Sequence, residues 1–381
     1  MKLLFVQRVK AYAGSERYFT SIVPELIRRG IHCKLLFVVD PRDMAKLTEM
    51  RELIERLRIP CDYVLSKRKI SLKLLRTLNR IAKSDNYDLI HVHLIQAEFW
   101  FSIIKRFMNK SLKLVSTIHG FDEKFQSAHG FDPSKVKNSL YVRILKFNQP
   151  QVHAYIAVSK SLKSLMENSH ILPLGKIRVI YYGTSVPFDP PASQIEIKNM
   201  VLVPGRLVPY KGQDLLIEAA KIVLESVKDA KFILAGDFQG EFGHKLSRLV
   251  EASKLSENII FPGHVSNLGE LYQKSTIVVL PSRSEGFGLV LMEAFNAEKA
   301  VIAFDVPAFN EVIENGKSGI LCPPFDVSFL ASQIISLLGD DKKRTAIARE
   351  GRKKLLTDFS LDRMVSETIE FYQAATGGEA T

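Results

Sequence analysis

Unbroken apolar runs constrain this chain more than any other feature. Lys2–Val9, His32–Val39, Asp88–Leu94, Lys113–His119, His153–Val158 and Ile177–Tyr182 are rich in Val, Ile, Leu and Phe. Further runs follow at Met200–Val203, Lys231–Ala235, Asn258–Phe261, Thr276–Leu280, Ala300–Phe304 and Gly319–Leu321. Continuous rather than alternating apolar residues describe strands buried on both faces, as in a parallel sheet covered by helices. Between them lie segments with apolar residues three and four apart, such as Asp214–Glu225 and Phe325–Leu338, which read as crossover helices. Alternation along 381 residues predicts an α/β protein of two doubly wound domains facing across a cleft. The Pro-rich stretch Gly183–Pro191 marks the boundary. The expected domains are 1–185 and 186–359, with a last helix at about 360–376 returning to the first domain.

Composition narrows the class. Hydrophobic residues make up 46% and charged residues 25%, a globular balance that excludes disorder and coiled coil. No run of about 18 apolar residues is present, so no bilayer span is expected. Met1–Arg8 is too short and too quickly charged to read as a signal peptide. Cys33, Cys61 and Cys322 are odd in number and far apart, which argues against a disulfide framework and a zinc site and fits a reducing cytoplasm. Charge is unevenly spread. Residues 1–190 hold 32 Lys+Arg against 16 Asp+Glu, a net of +16, whereas residues 191–381 hold 21 against 25, a net of −4. The asymmetry predicts an anionic partner for the first half. Nucleic acid is not expected, because no reader motif is present.

In open parallel sheets, ligands bind beyond the carboxyl ends of the strands, so residues just after strands carry the functional expectations. The segment Ser284–Ala294 holds Glu285 and Glu293 eight apart, with Gly286 and Gly288 where a helix would begin. Amides at such a start suit phosphate, and a carboxylate two helical turns on can accept both hydroxyls of a sugar diol. The plainer reading is a tight turn with two solvated glutamates; the paired spacing favours function. Arg206 and Lys211 follow the strand Met200–Val203 and can converge on one diphosphate, although two loop cations on a basic protein would look the same. Gly14 lies where a helix to about Arg29 begins, in a segment that is not a dinucleotide fingerprint and alone reads equally as a capped helix start. His119-Gly120 ends a strand, which aims the imidazole at the cleft rather than the core. His91 and His93 share one strand face without a third metal-spaced ligand, and read as structural or cleft-lining.

With these motifs in hand, the chain resembles the retaining glycosyltransferases of the GT-B fold, family GT4 (group 1). The resemblance rests on Gly205-Arg206 with Lys211-Gly212, Phe261-Pro262-Gly263-His264-Val265, Pro281-Ser282 leading into Glu285-Gly286-Phe287-Gly288, Glu293-Ala294, and Glu311 through Asn315-Gly316 to Gly319. The first half is similar more loosely, through Gly14-Ser15-Glu16, His91-Val92-His93, His119-Gly120 and Ala157-Val158-Ser159. It departs from the family at Tyr182–Ser185, at Val306-Pro307-Ala308 where a glycine pair is usual, and at Ala13-Gly14. The resemblance implies that Gly14, Arg206, Lys211 and the amides of Gly286, Phe287, Gly288 and Leu289 hold a donor diphosphate. It further implies Glu293 at the ribose, the backbone of His264 and Val265 at the base, and Glu285 and His119 at the donor sugar. His119, Glu285, Arg206 and Lys211 would then be the catalytic set.

The implied reaction moves a sugar from a UDP- or GDP-sugar to a glycan, lipid-linked or phosphorylated acceptor with retention of configuration, in cell-envelope polysaccharide or glycolipid synthesis. No cofactor or metal is implied: cations and a helix terminus take up the charge on the leaving diphosphate. A non-catalytic nucleotide-binding relative, an epimerase or a phosphorylase would share the fold. The basic stretch Lys67-Arg68-Lys69 and the helix pattern carrying Lys73, Arg76, Arg80 and Lys83 predict a peripheral meeting with an anionic membrane. The same cations also read as a solvated helix face.

Overall fold

The computed structural model describes residues 1–10, 14–120, 126–127, 130–131, 139–184, 196–238, 240–263, 265 and 268–377. Its contacts divide the chain into two compact units. The first comprises Met1–Gly120, Pro133–Ser185 and Leu361–Thr381, and the second Phe121–Asp132 and Val186–Ser360.

The first unit is built on strands β1 (Lys2–Val9), β2 (His32–Val39), β3 (Cys61–Leu65), β4 (Leu89–His93) and β5 (Leu114–Ile118). A short hairpin, β6 (Gln126–Ser127) and β7 (Gly130–Phe131), groups with the second unit although it precedes the expected boundary. Its short strands carry no apolar run that would mark the change of unit. Strands β8 (Ala154–Ala157) and β9 (Ile177–Val179) complete the first sheet, in the order β3-β2-β1-β4-β5-β8-β9. Every pairing in this sheet is parallel. Both faces are covered, which explains the unbroken apolar runs. On one face Leu4, Val6, Ile90 and Val92 pack against helices α3 (Leu72–Ser84) and α4 (Leu94–Phe107), through residues such as Leu78, Trp100 and Phe101. On the other, Phe5 meets Phe19 of α1 (Gly14–Arg28) and Tyr372 of the last helix, Leu361–Thr376, while α2 (Thr48–Arg56) joins β2 to β3. That last helix is also tied to the chain leaving α1, where Arg29 pairs with Asp362.

The second unit carries six parallel strands in the order β12-β11-β10-β13-β14-β15. They are β10 (Met200–Pro204), β11 (Lys231–Ala235), β12 (Ile259–Gly263), β13 (Ile277–Leu280), β14 (Ala300–Phe304) and β15 (Ile320–Cys322). Two doubly wound sheets are therefore present, as the apolar runs predict. The exception is β3. It is an edge strand of half-buried residues with Asp62 among them, so it offers no continuous apolar run to read.

Candidate active site

In the second sheet β10 pairs with β11 on one side and β13 on the other, and the order of connection reverses between β10 and β13. The loops leaving the carboxyl ends of these two strands border the crevice such a reversal opens. They are the Arg206–Lys211 and Ser282–Gly288 loops, and the structure binds them to each other. Lys211 Nζ lies 2.5 Å from Glu285 Oε1, with side chains only 15% and 8% exposed. Ser282 Oγ donates to the same carboxylate oxygen at 2.8 Å. Arg283 donates to Pro209 O at 2.6 Å and grips Asp214 with both terminal nitrogens, at 2.7 and 2.9 Å. Its own amide donates to Tyr210 O at 2.7 Å. Gly212 sits between the loops at φ +71°, and a Cβ there would fall 1.9 Å from Pro281 O, so no other residue allows this approach. Arg206 donates through its guanidinium to the Tyr210 hydroxyl, while its carbonyl accepts from Gln213 at 3.0 Å.

The helix after Glu285 starts later than the sequence suggests. Gly288 takes φ +88° and caps a helix running Leu289–Asn296, so Glu285 stays in the loop and Glu293 comes one turn, not two, into the helix. The cap offers no side-chain acceptor, and Leu291 N turns back to Gly288 O at 2.9 Å, so the amides placed for an anion are those of Leu289 and Val290. Gly286 is part of the same turn. Phe287 is a core side chain, 2% exposed and edge-on to Phe359 at 5.9 Å, so only its backbone suits ligand binding. Glu293 Oε2 accepts from the Tyr272 hydroxyl at 3.0 Å. Tyr272 orients this carboxylate, and nothing in the sequence marked it, since it comes from a short helix with no motif. Val265 lies just past β12, and His264 lies outside the described residues.

In the first sheet the reversal falls between β1 and β4. Gln7 stands in register with His93 and donates to Ser15 Oγ at 3.1 Å and to Glu16, which fixes the start of α1 at Gly14. His119, one residue past β5, has both ring nitrogens engaged. Nε2 meets His93 Nδ1 at 2.7 Å and Nδ1 meets the Tyr182 hydroxyl. His91 is likewise tied at 2.7 Å to both Tyr372 and Thr117. Burial pushes His119 down to about 3 and holds His91 and His93 well below the ordinary imidazole range, so all three are neutral. His91 and His93 are fully buried, which settles between the two readings of them in favour of structure. Among the described residues, no three His, Cys, Asp or Glu side chains form a metal-ligating group. No described helix is long and apolar enough to cross a membrane.

Comparison with known proteins agrees with this geometry. The family model for Glycosyltransferase Family 4 matches residues 12–186, and that for glycosyl transferases group 1 matches residues 187–354. The chain is 29% identical over 314 residues to the N-acetyl-alpha-D-glucosaminyl L-malate synthase of Bacillus anthracis, covering 79% of this chain and 78% of that one. It is 29% identical over 239 residues to the lipopolysaccharide core biosynthesis mannosyltransferase LpcC of Rhizobium leguminosarum bv. viciae, covering 60% and 66%. The crystal structure of Anabaena HepE in complex with UDP and glucose superposes with a TM-score of 0.81 at 22% identity, covering 98% of this chain and 100% of that one. With two wound sheets, a matched model over each and GT-B structures as neighbours, the chain belongs to the family 4-type, group 1 glycosyltransferases.

Proposed function

We propose that this glycosyltransferase moves a sugar from a UDP-sugar to a hydroxyl of a cell-envelope glycan or lipid-linked acceptor, with retention of anomeric configuration. The observation that carries the donor half is the union of the Arg206–Lys211 and Ser282–Gly288 loops at the β10–β13 crevice. The UDP and glucose bound to HepE and the lipopolysaccharide role of LpcC support the choice of donor and acceptor class.

In this reading Arg206, Lys211 and the first-turn amides after Gly288 hold the diphosphate. Glu293, set by Tyr272, accepts from the ribose hydroxyls, and the backbone at Val265 meets the base. Glu285 binds sugar hydroxyls, and a phosphate drawing on Lys211 loosens the 2.5 Å pair and frees that carboxylate to do so. Gly14 and His119 are given their roles by the resemblance alone. As the bond to the anomeric carbon breaks, charge grows on the outer phosphate, and cations already in place favour that state over the ground state. The departing phosphate takes the acceptor proton, and the new bond forms on the face it leaves.

A panel of UDP-, GDP- and ADP-sugars tests the reading, by thermal shift and by release of nucleoside diphosphate with and without EDTA. A UDP-sugar at 100 times its Kd should add about 2.7 kcal/mol of apparent stability. Turnover should persist in EDTA. Loss of turnover with rescue by Mg²⁺ would overturn the metal-independent route, and no stabilisation or turnover with any donor would favour a non-catalytic relative.

A further inference from the structure

Between Asp62 and Asp85 the first unit carries no acidic residue, yet it carries Lys67, Arg68, Lys69, Lys73, Arg76, Arg80 and Lys83. All seven are exposed, and none makes an ion pair among the described residues. The last four recur at steps of three and four along α3 and so share one face, while Leu74, Leu75, Leu78 and Ala82 on the opposite face are buried against the sheet and α4.

Charge alone would make this a solvated helix face. The structure adds apolar side chains left in water beside it: Leu65 is 57% exposed, Ile70 43% and Leu72 58%. They fall at the last residue of edge strand β3, in the turn that joins it to α3, and at the first residue of α3. This turn is held in place. Ser66 N donates to Val39 O at 2.9 Å, Ser66 Oγ to Arg68 O at 2.9 Å, and Trp100 Nε1 to Lys69 O at 2.7 Å. Ser71 caps α3 through the Leu74 amide at 3.1 Å. Three large aliphatic groups are therefore presented on a fixed turn among cations.

We infer that the Leu65–Leu72 turn and the basic face of α3 form a docking surface for a bilayer containing anionic phospholipid. The cations meet the headgroups, and Leu65, Ile70 and Leu72 enter the interface beneath them. The aliphatic groups decide the partner. A nucleic acid would gain from the cations but would be met by aromatic or hydrogen-bonding side chains rather than by leucine and isoleucine. The inference does not depend on the donor chemistry proposed above, and the two fail separately.

Co-sedimentation of the whole protein with vesicles tests it. Binding is expected to vesicles of phosphatidylglycerol in phosphatidylcholine at low salt, and to fade in 1 M NaCl, about where the screening length drops to 3 Å. Loss of about fivefold in affinity per cation removed is expected for the Lys67→Glu, Arg68→Glu, Lys69→Glu, Lys73→Glu variant. A Leu65→Ser, Ile70→Ser variant, cations intact, should also bind more weakly. Unchanged emission from Trp100, the single tryptophan, and an unchanged melting temperature certify that each variant folds. If a variant does not fold, the lipid and salt series on the native chain still decides. Equal binding to pure phosphatidylcholine, no binding at low salt, or tighter binding to a short RNA or DNA duplex than to vesicles would overturn the inference. So would serine substitutions that leave vesicle binding unchanged.

Discussion

Lys211 lies against Glu285, at 2.5 Å and largely out of water. In the proposed mechanism a diphosphate competes for the same ammonium, and the competition sharpens as charge moves onto the departing phosphate. Lys211→Ala should therefore lower kcat more than it raises KM, in steady-state kinetics with a saturating acceptor. A rise in KM alone would mean that Lys211 binds ground and transition states equally. Ala308 makes a separate point about backbone. It holds φ +78° and ψ −43°, fully buried, a backbone region that favours glycine. A Cβ is strained in that region, so Ala308→Gly should raise stability by about 1 kcal/mol in urea unfolding. The glutamate pair and the Arg206–Lys211 cations were legible because their spacing follows strands that any reader would draw. Tyr272, Arg283 and Tyr182 were not. Each acts by touching a residue distant in sequence: Tyr272 meets Glu293, Arg283 meets Asp214, and Tyr182 meets His119.

At the scale of elements, the buried polar groups of the first unit pull its stability in opposite directions with pH. Glu98 on α4 lies between Ser116 of β5, at 2.6 Å, and Asn148 of the helix Leu140–Asn148, at 3.1 Å, and burial pushes it up to about 7. In the unfolded chain it ionises near 4.5. Between those values the folded state keeps a proton that the unfolded state has lost, so stability falls as pH rises through the window. The buried histidines have the reverse sign. Unfolded, they take up protons below about 6.5; folded, His119 resists down to about 3, so their contribution is lost as pH falls below 6.5. Glu98→Gln should accordingly stabilise the protein at pH 8, on the order of 2–3 kcal/mol, and change little at pH 4. Chemical unfolding at the two pH values checks this; an equal effect at both would show that Glu98 is not a buried titrating group. Little of this could be read from the sequence. Glu98 lies in an apolar helix pattern, where a glutamate reads as solvated, and only the assembled sheet shows what surrounds it.

At the scale of the molecule, the two wound sheets follow from strands covered on both faces, and that much was written in the apolar runs. Edge strand β3 and the hairpin at Gln126–Phe131 were not, because half-buried or very short strands leave no such signature. The proposed nucleoside diphosphate site lies in the second unit, on two loops and one helix start. Calorimetric titration of UDP into the wild-type chain and into Glu293→Ala tests it most directly. Wild type should bind one UDP per chain. Removing the ribose acceptor should weaken binding by about 10- to 150-fold, the equivalent of one charged hydrogen bond at about 1.5–3 kcal/mol. Equal affinity in the two proteins, or no UDP binding by wild type, would contradict the placement of the donor on the Glu285–Glu293 segment.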